Sequence, residues 1–517
     1  MGSCYTIIFL SLCTLLFIAS RSSRSVEGSL FLFPVKEASV SDLQAAFRQN
    51  RVNSRQLVEL YIANIQKLNP VLKAVIEVNP DALDLADKAD EQRKNNKTSL
   101  LSLLHGIPVL VKDNISTKDK LNTSAGCCAL RGSVVPQDAG VVKKLRKAGA
   151  IILGKASMTE WAAFRSDAMP NGWNCRLGQA VNPYVASADP SGSSTGSAIS
   201  AAANLVTVTL GTETAGSILS PSNANSVVGI KPTVGLTSRA GVVPISHRQD
   251  TVGPICRTVS DAVHVLDVIV GYDPDDKQAT NEASMYIPHG RYAQFLKADG
   301  LKGKRLGITR NNDLVGFNDD LETLKAYEQH FTTLRQRGAE LVDNLVIPNF
   351  ELLEHSVFYA EYIALKAEFK IDVNAYLGNL VESPVRSLED VIAYNKKNAD
   401  AEMIEKYGQN ILVEAEKTRG IGRLEREALA NITKACKDGF EKLMKHNNLD
   451  ALMSPGSDVA SILALGGYPG INVPAGYDKN GIPFGLSFGG LKGSEPKLIE
   501  VAYGFEQATM IRKPPPF

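Results

Sequence analysis

Two serines and one lysine have the types and spacing to do chemistry. Ser193 lies in Gly192-Ser193-Ser194-Thr195-Gly196-Ser197, and Ser217 closes Gly211-Thr212-Glu213-Thr214-Ala215-Gly216-Ser217, 24 residues further on. Lys112 ends the apolar run Ile107-Pro108-Val109-Leu110-Val111. An amine at the end of a buried strand loses hydration, which favours its neutral form and makes it a base. Such a base can activate a serine hydroxyl. The three groups together supply a serine hydrolase that needs no histidine. Taken singly, Lys112 reads as a strand-end partner of Asp113, and the serines and glycines as caps and turns. Taken together, they read as a site.

The small residues before Ser217 support that reading. A turn through Thr214, Ala215, Gly216 and Ser217 can aim successive backbone N–H groups at one point, an oxyanion hole in which each donor contributes about 3 kcal/mol. Two look-alike motifs fail. Gly192-Ser193-Ser194-Thr195-Gly196 matches the G-x-S-x-G elbow, with Ser194 as nucleophile, but that motif follows a strand and the stretch Asn182 to Pro190 is turn-rich. A phosphate loop would need a lysine after Gly196, where Ser197 stands.

Elements must bring these groups together. Ser41 to Leu68 has helical spacing broken near residues 50–53, which predicts two helices and a short turn. Val71 to Ile76, the run into Lys112, Ile151 to Leu153, Val206 to Leu210 and Val227 to Ile230 read as strands. Val141 to Ala148 and Thr195 to Leu205 read as helices, and Lys302 to Ile308 begins another strand. Residues 318–447 turn charged and helical; strand and turn character returns from Ala451. The pattern predicts an α/β protein: a large mixed sheet covered by helices on both faces, with a core at about 29–300 and 451–517 and a helical elaboration at 318–447.

Composition narrows the function classes. The 517 residues carry a net charge of +1 with dispersed basic residues, which argues against a nucleic-acid or anionic-membrane partner and leaves small substrates. Thr6 to Ala19 is short for a membrane helix and suits a signal-peptide core, although no basic residue precedes it; residues 1–27 are expected to be a cleaved leader of a secreted protein, with no membrane contact once it is removed, and an uncleaved anchor is the alternative. Beyond the leader stand Cys127, Cys128, Cys175, Cys256 and Cys436. Their spacing fits no zinc motif and leaves room for one disulfide of unreadable pairing. Asn96, Asn122 and Asn431 begin N-x-Ser/Thr sequons, as formally does Asn114, which follows Lys112 too closely to suit a glycan. His105 reads as a strand-start residue, His247 as a structural hydrogen-bonding group with a pocket-facing role as the alternative, and Trp161 and Trp173 as packing residues with a place in the cleft lining as theirs.

The same segments resemble the amidase signature family. Gly106 to Asn114, Gly192 to Ser197, Gly211 to Ser217 and Gly229-Ile230-Lys231-Pro232-Thr233-Val234-Gly235 carry the resemblance, which runs from about residue 36 to the C-terminus. Within the family, Asn182-Pro183-Tyr184, Gly211 to Thr214 and Pro232 to Arg239 resemble bacterial peptide amidases and secreted plant amidases. The resemblance implies Ser217 as nucleophile, Ser193 as a serine on a cis peptide bond, Lys112 as base, Thr214 to Ser217 as oxyanion hole and Ser194 as a support for Lys112. It implies no cofactor and no metal. Leu219 stands where many members have arginine, and Ala215 where many have glycine; neither change removes a catalytic group. The expected function is a secreted amidase acting on linear amides of peptides, amino acids or small acyl groups. An acyltransferase using the same acyl-enzyme and a non-catalytic binding protein of this fold are the alternatives. A glutamine-using amidotransferase component suits a secretory leader poorly.

Overall fold

The computed structural model describes residues 33–95, 101–309, 321–347 and 350–517; the leader at 1–27 and Asn96 lie outside them. In chain order the strands are β1 Val75–Val78, β2 Pro108–Lys112, β3 Ile151–Ala156, β4 Trp173–Asn174, β5 Gly178–Gln179, β6 Val208–Glu213, β7 Val228–Lys231, β8 Thr251–Cys256, β9 Arg305–Thr309, β10 Glu340–Leu345, β11 Ala451–Pro455, β12 Gly470–Tyr477 and β13 Pro483–Gly489. Eleven of them form one mixed sheet in the order β1-β3-β2-β6-β8-β7-β12-β13-β11-β9-β10, and β4 and β5 form a small hairpin. Helices cover both faces, which is the α/β architecture expected.

The centre of the sheet positions the site. β2 runs parallel to β3 on one side and β6 on the other, with Val109 opposite Val208 and Val111 opposite Leu210. Every residue of β2 is buried, which accounts for a continuous apolar run ending in a lysine. β6 starts at Val208 and continues through Gly211 and Thr212 to Glu213, so residues read as a glycine turn are the last rungs of a strand paired with β8. The helix Thr195–Ala202 is buried throughout and lies close to the chain beneath it. A Cβ on Gly196 would stand 2.3 Å from the Ala74 carbonyl oxygen, so only glycine fits that approach.

Three local expectations need correction. The helix Ser54–Leu72 extends through Val71 and Leu72, and β1 begins only at Val75. Val71 is 62% exposed, so the apolar run is not a strand facing a core. Asn69 ends the helix: its side-chain oxygen accepts the Ala74 and Val75 amides, and Lys73 adopts the left-handed region. The helix read as Thr195 to Leu205 stops at Ala202. The stretch 318–447 is not wholly helical, because Glu340–Leu345 adds an edge strand parallel to β9. The rest of that stretch is rich in helix. Phe350–Asn379, Leu388–Lys397 and Asn410–Glu416 pack over Trp161, Phe164, Val243 and Ile245.

Cys128 and Cys175 form a disulfide, and Cys127, Cys256 and Cys436 are buried free thiols. The bridge closes a sequence separation of 47 residues. On a chain-entropy basis, closing a loop of that size stabilises the fold by about 4 kcal/mol.

Candidate active site

Lys112, Ser193, Ser194 and Ser217 come together at the ends of β2 and β6. The Lys112 ammonium is wholly buried. Nζ donates to Ser193 Oγ at 2.8 Å, to Ser194 Oγ at 3.0 Å and to the Thr212 carbonyl at 3.0 Å. Burial lowers its pKa to about 7, against the opposing charges of Glu213 and Asp250. Near neutral pH a substantial fraction of the amine is therefore unprotonated. Asp113 takes no part. Its Oδ2 accepts from the Ser124 hydroxyl at 2.5 Å and the Gly126 amide at 2.8 Å, and Arg176 lies 3.7 Å from its Oδ1.

Burial alone does not single out this lysine. Lys155 and Lys231 are equally buried, and each is lowered to about 8 by desolvation. Lys155 donates to the Ile115 carbonyl and the Thr123 hydroxyl, and Lys231 to the Tyr468 carbonyl. Two serine hydroxyls against the amine distinguish Lys112.

The serine loop is held by backbone contacts. The Gly192–Ser193 peptide bond is cis. The Ser193 carbonyl accepts from the Thr159 amide at 3.1 Å, and the Ser194 amide donates to the Ser217 carbonyl at 3.2 Å, which joins the two serine turns directly. Ser194 donates to the Thr212 carbonyl at 3.0 Å and accepts from the Thr212 amide at 3.2 Å. With its hydroxyl buried and committed to Lys112 and Thr212, Ser194 cannot be an exposed elbow nucleophile.

Ser217 is 7% exposed, and its hydroxyl has no hydrogen-bond partner among the described residues. It follows Gly216, whose φ of +76° favours glycine. Glu213 organises this turn. Its Oε2 accepts the amides of Ile218 at 2.7 Å and Leu219 at 3.0 Å, opening the helix Leu219–Ala224. The amides of Thr214, Ala215, Gly216 and Ser217 have no acceptor among the described residues. Thr214 is pinned separately, donating from Oγ1 to Asp250 Oδ1 at 2.6 Å. The arrangement can give up a proton from a serine to a buried amine and present unpaired N–H groups beside a nearby hydroxyl.

The remaining candidates are structural. His105 Nε2 lies 3.1 Å from the Ala89 carbonyl, and His247 Nδ1 lies 2.7 Å from Asp372, whose carboxylate raises the imidazole pKa. Trp161 packs edge-on against Phe369, and Trp173 packs at a tilt against Tyr407. Asn114 is buried, with its amide donating to Thr212 Oγ1, so the formal sequon is sealed inside the site; Asn122 bonds Glu77, and Asn431 is exposed. Sequence reasoning missed Glu213 and Asp250 as supports. The first stood inside a quoted motif, whereas the second lies 36 residues from Thr214.

A family model described as Amidase matches residues 56–463. A protein of Arabidopsis thaliana named a probable amidase is 59% identical over 485 residues, covering 94% of this chain and 92% of its own. The solved peptide amidase of Stenotrophomonas maltophilia superposes with a TM-score of 0.87 at 40% identity, covering 94% of this chain and 99% of that one. A solved amidase family protein of Bacillus anthracis superposes with a TM-score of 0.86 at 36% identity, covering 93% of each chain.

Proposed function

Since this chain belongs to the amidase signature family, we propose that it is a serine amidase working through an acyl-enzyme at Ser217. The observation that carries the reading is the wholly buried Lys112 amine, lowered to about 7 and 2.8 Å from Ser193 Oγ. Neutral Lys112 takes the Ser193 proton, Ser193 takes that of Ser217, and Ser217 Oγ bonds to the amide carbon. The oxyanion is met by N–H groups of Thr214 to Ser217. Collapse breaks the C–N bond, and the proton returns along the relay to the leaving nitrogen. Water then adds to the acyl-enzyme by the reverse path and releases the acid.

The substrate is a linear amide: a peptide C-terminal amide, an amino-acid amide or a small acyl amide. Likeness over nearly the whole chain to a peptide amidase supports the first. Residues 28–517 act as one amidase unit behind a leader at 1–27, and the protein is secreted. A disulfide supports an oxidising compartment, and among the described residues exposed Asn431 is the sequon best placed for a glycan. Among the described residues no helix is long and apolar enough to cross a membrane. The test is ammonia release by the mature protein from amidated peptides, amino-acid amides and acyl amides, with Ser217→Ala as control. Equal release by both would overturn the nucleophile assignment.

A further inference from the structure

The helix Phe350–Asn379 reaches the oxyanion turn through one polar face. Glu361, Glu368, Asp372 and Tyr376 are spaced by seven, four and four residues, which places them on one side of a helix. They meet Ser116 and the consecutive residues 246–249. Tyr376 lies 3.4 Å from the Ser116 hydroxyl. Asp372 accepts from the His247 amide at 3.0 Å and faces its ring. Glu368 accepts from Ser246 Oγ at 2.7 Å and from Arg248 at 2.9 and 3.1 Å. Glu361 Oε1 accepts from Gln249 Nε2 at 2.6 Å.

Gln249 and Asp250 carry this contact into the site. Gln249 is wholly buried, and its Nε2 lies 3.4 Å from the Thr214 carbonyl as well as against Glu361. Asp250 Oδ1 accepts the Thr214 hydroxyl, while Oδ2 accepts the Ile245 and Ser246 amides and closes the turn around itself. Thr214, the first residue of the oxyanion turn, is thus gripped at its carbonyl and at its side chain by two adjacent residues. One of those residues is fixed by Glu361.

We infer that Glu361 is a positioning residue for the oxyanion hole, acting through Gln249 on Thr214, so that the helical elaboration tunes turnover as well as covering the core. The inference rests on the amidase reading. Oxyanion donors act by preorganisation, and displacement of about 1 Å can cost about a hundredfold in rate. Removing the Glu361 acceptor frees the Gln249 amide to turn from Thr214 and loosens a turn that matters most in the transition state.

The experiment compares kcat and KM of wild type, Glu361→Leu, Glu361→Gln and Gln249→Leu on an amidated peptide, with melting curves to confirm folding. Glu361→Leu is expected to lower kcat about tenfold with KM within about twofold. Glu361→Gln keeps an oxygen acceptor and is expected to recover most of that loss. Wild-type kcat in a folded Glu361→Leu, a change in KM alone, or a glutamine variant as slow as Glu361→Leu would overturn the inference. Should Glu361→Leu not fold, Gln249→Leu carries the same comparison. If Ser217→Ala retains wild-type activity, the amidase reading itself has failed, an outcome separate from these.

Discussion

Lys112 and Asp113 are neighbours in the chain but share no ion pair: the amine is committed to Ser193, Ser194 and the Thr212 carbonyl, and the carboxylate to Ser124 and Gly126. This separation leaves the lysine without a counter-ion in contact. Burial therefore prevails over the more distant charges of Glu213 and Asp250, and the amine is lowered to about 7.

The pH profile should show that amine. A base works when unprotonated, so kcat/KM is expected to rise with pH through about 7 and level off above about 8. Initial rates across pH 5 to 9 test it (the range brackets the group). A profile flat through this range would remove Lys112 as the titrating base.

Glu213 tunes that profile in a direction fixed by charge. Its carboxylate favours the Lys112 ammonium, and Glu213→Gln removes the charge while keeping an oxygen that can accept from Ile218 and Leu219. The lysine pKa then falls, and the acid limb of kcat/KM shifts to lower pH. A shift to higher pH would contradict the assigned electrostatics.

Ser217→Ala and Lys112→Ala should each reduce turnover by about a thousandfold or more, because members of one relay act as a unit. The double variant is expected to be little slower than the worse single one. Additive losses would show that the two residues act independently.

Replacing both Cys128 and Cys175 by serine is expected to lower unfolding stability by about 2–4 kcal/mol. Denaturant melts measure it. An unchanged midpoint would mean that the unfolded chain gains little freedom from the cut.

Much of the site was legible because its reactive groups sit in local motifs. A glycine-rich turn before Ser217 and an apolar run into Lys112 are short-range signals. The supports were not legible, since Asp250 meets Thr214 and Glu361 meets Gln249 only after the sheet and the helix Phe350–Asn379 are in place. The Cys128–Cys175 pairing has the same character. Val71 and Leu72 misled for a different reason: an apolar pair near a proline suits a strand start as well as a last helical turn, and Asn69 decides the matter by capping Ala74 and Val75. β10 was missed because a polar edge strand beside a long charged helix gives little period-two contrast.

The pairing of Val111 with Leu210 has a consequence for how this chain can change over generations. Lys112 and the turn bearing Ser217 are set against each other by a ladder that advances about 3.3 Å per residue and alternates faces. One inserted or deleted residue within β2 or β6 would carry the amine past its hydroxyls and turn it to the opposite side of the sheet. Length changes here are closed to drift, and variation in reach for new substrates has to come from the connections and the overlying helices.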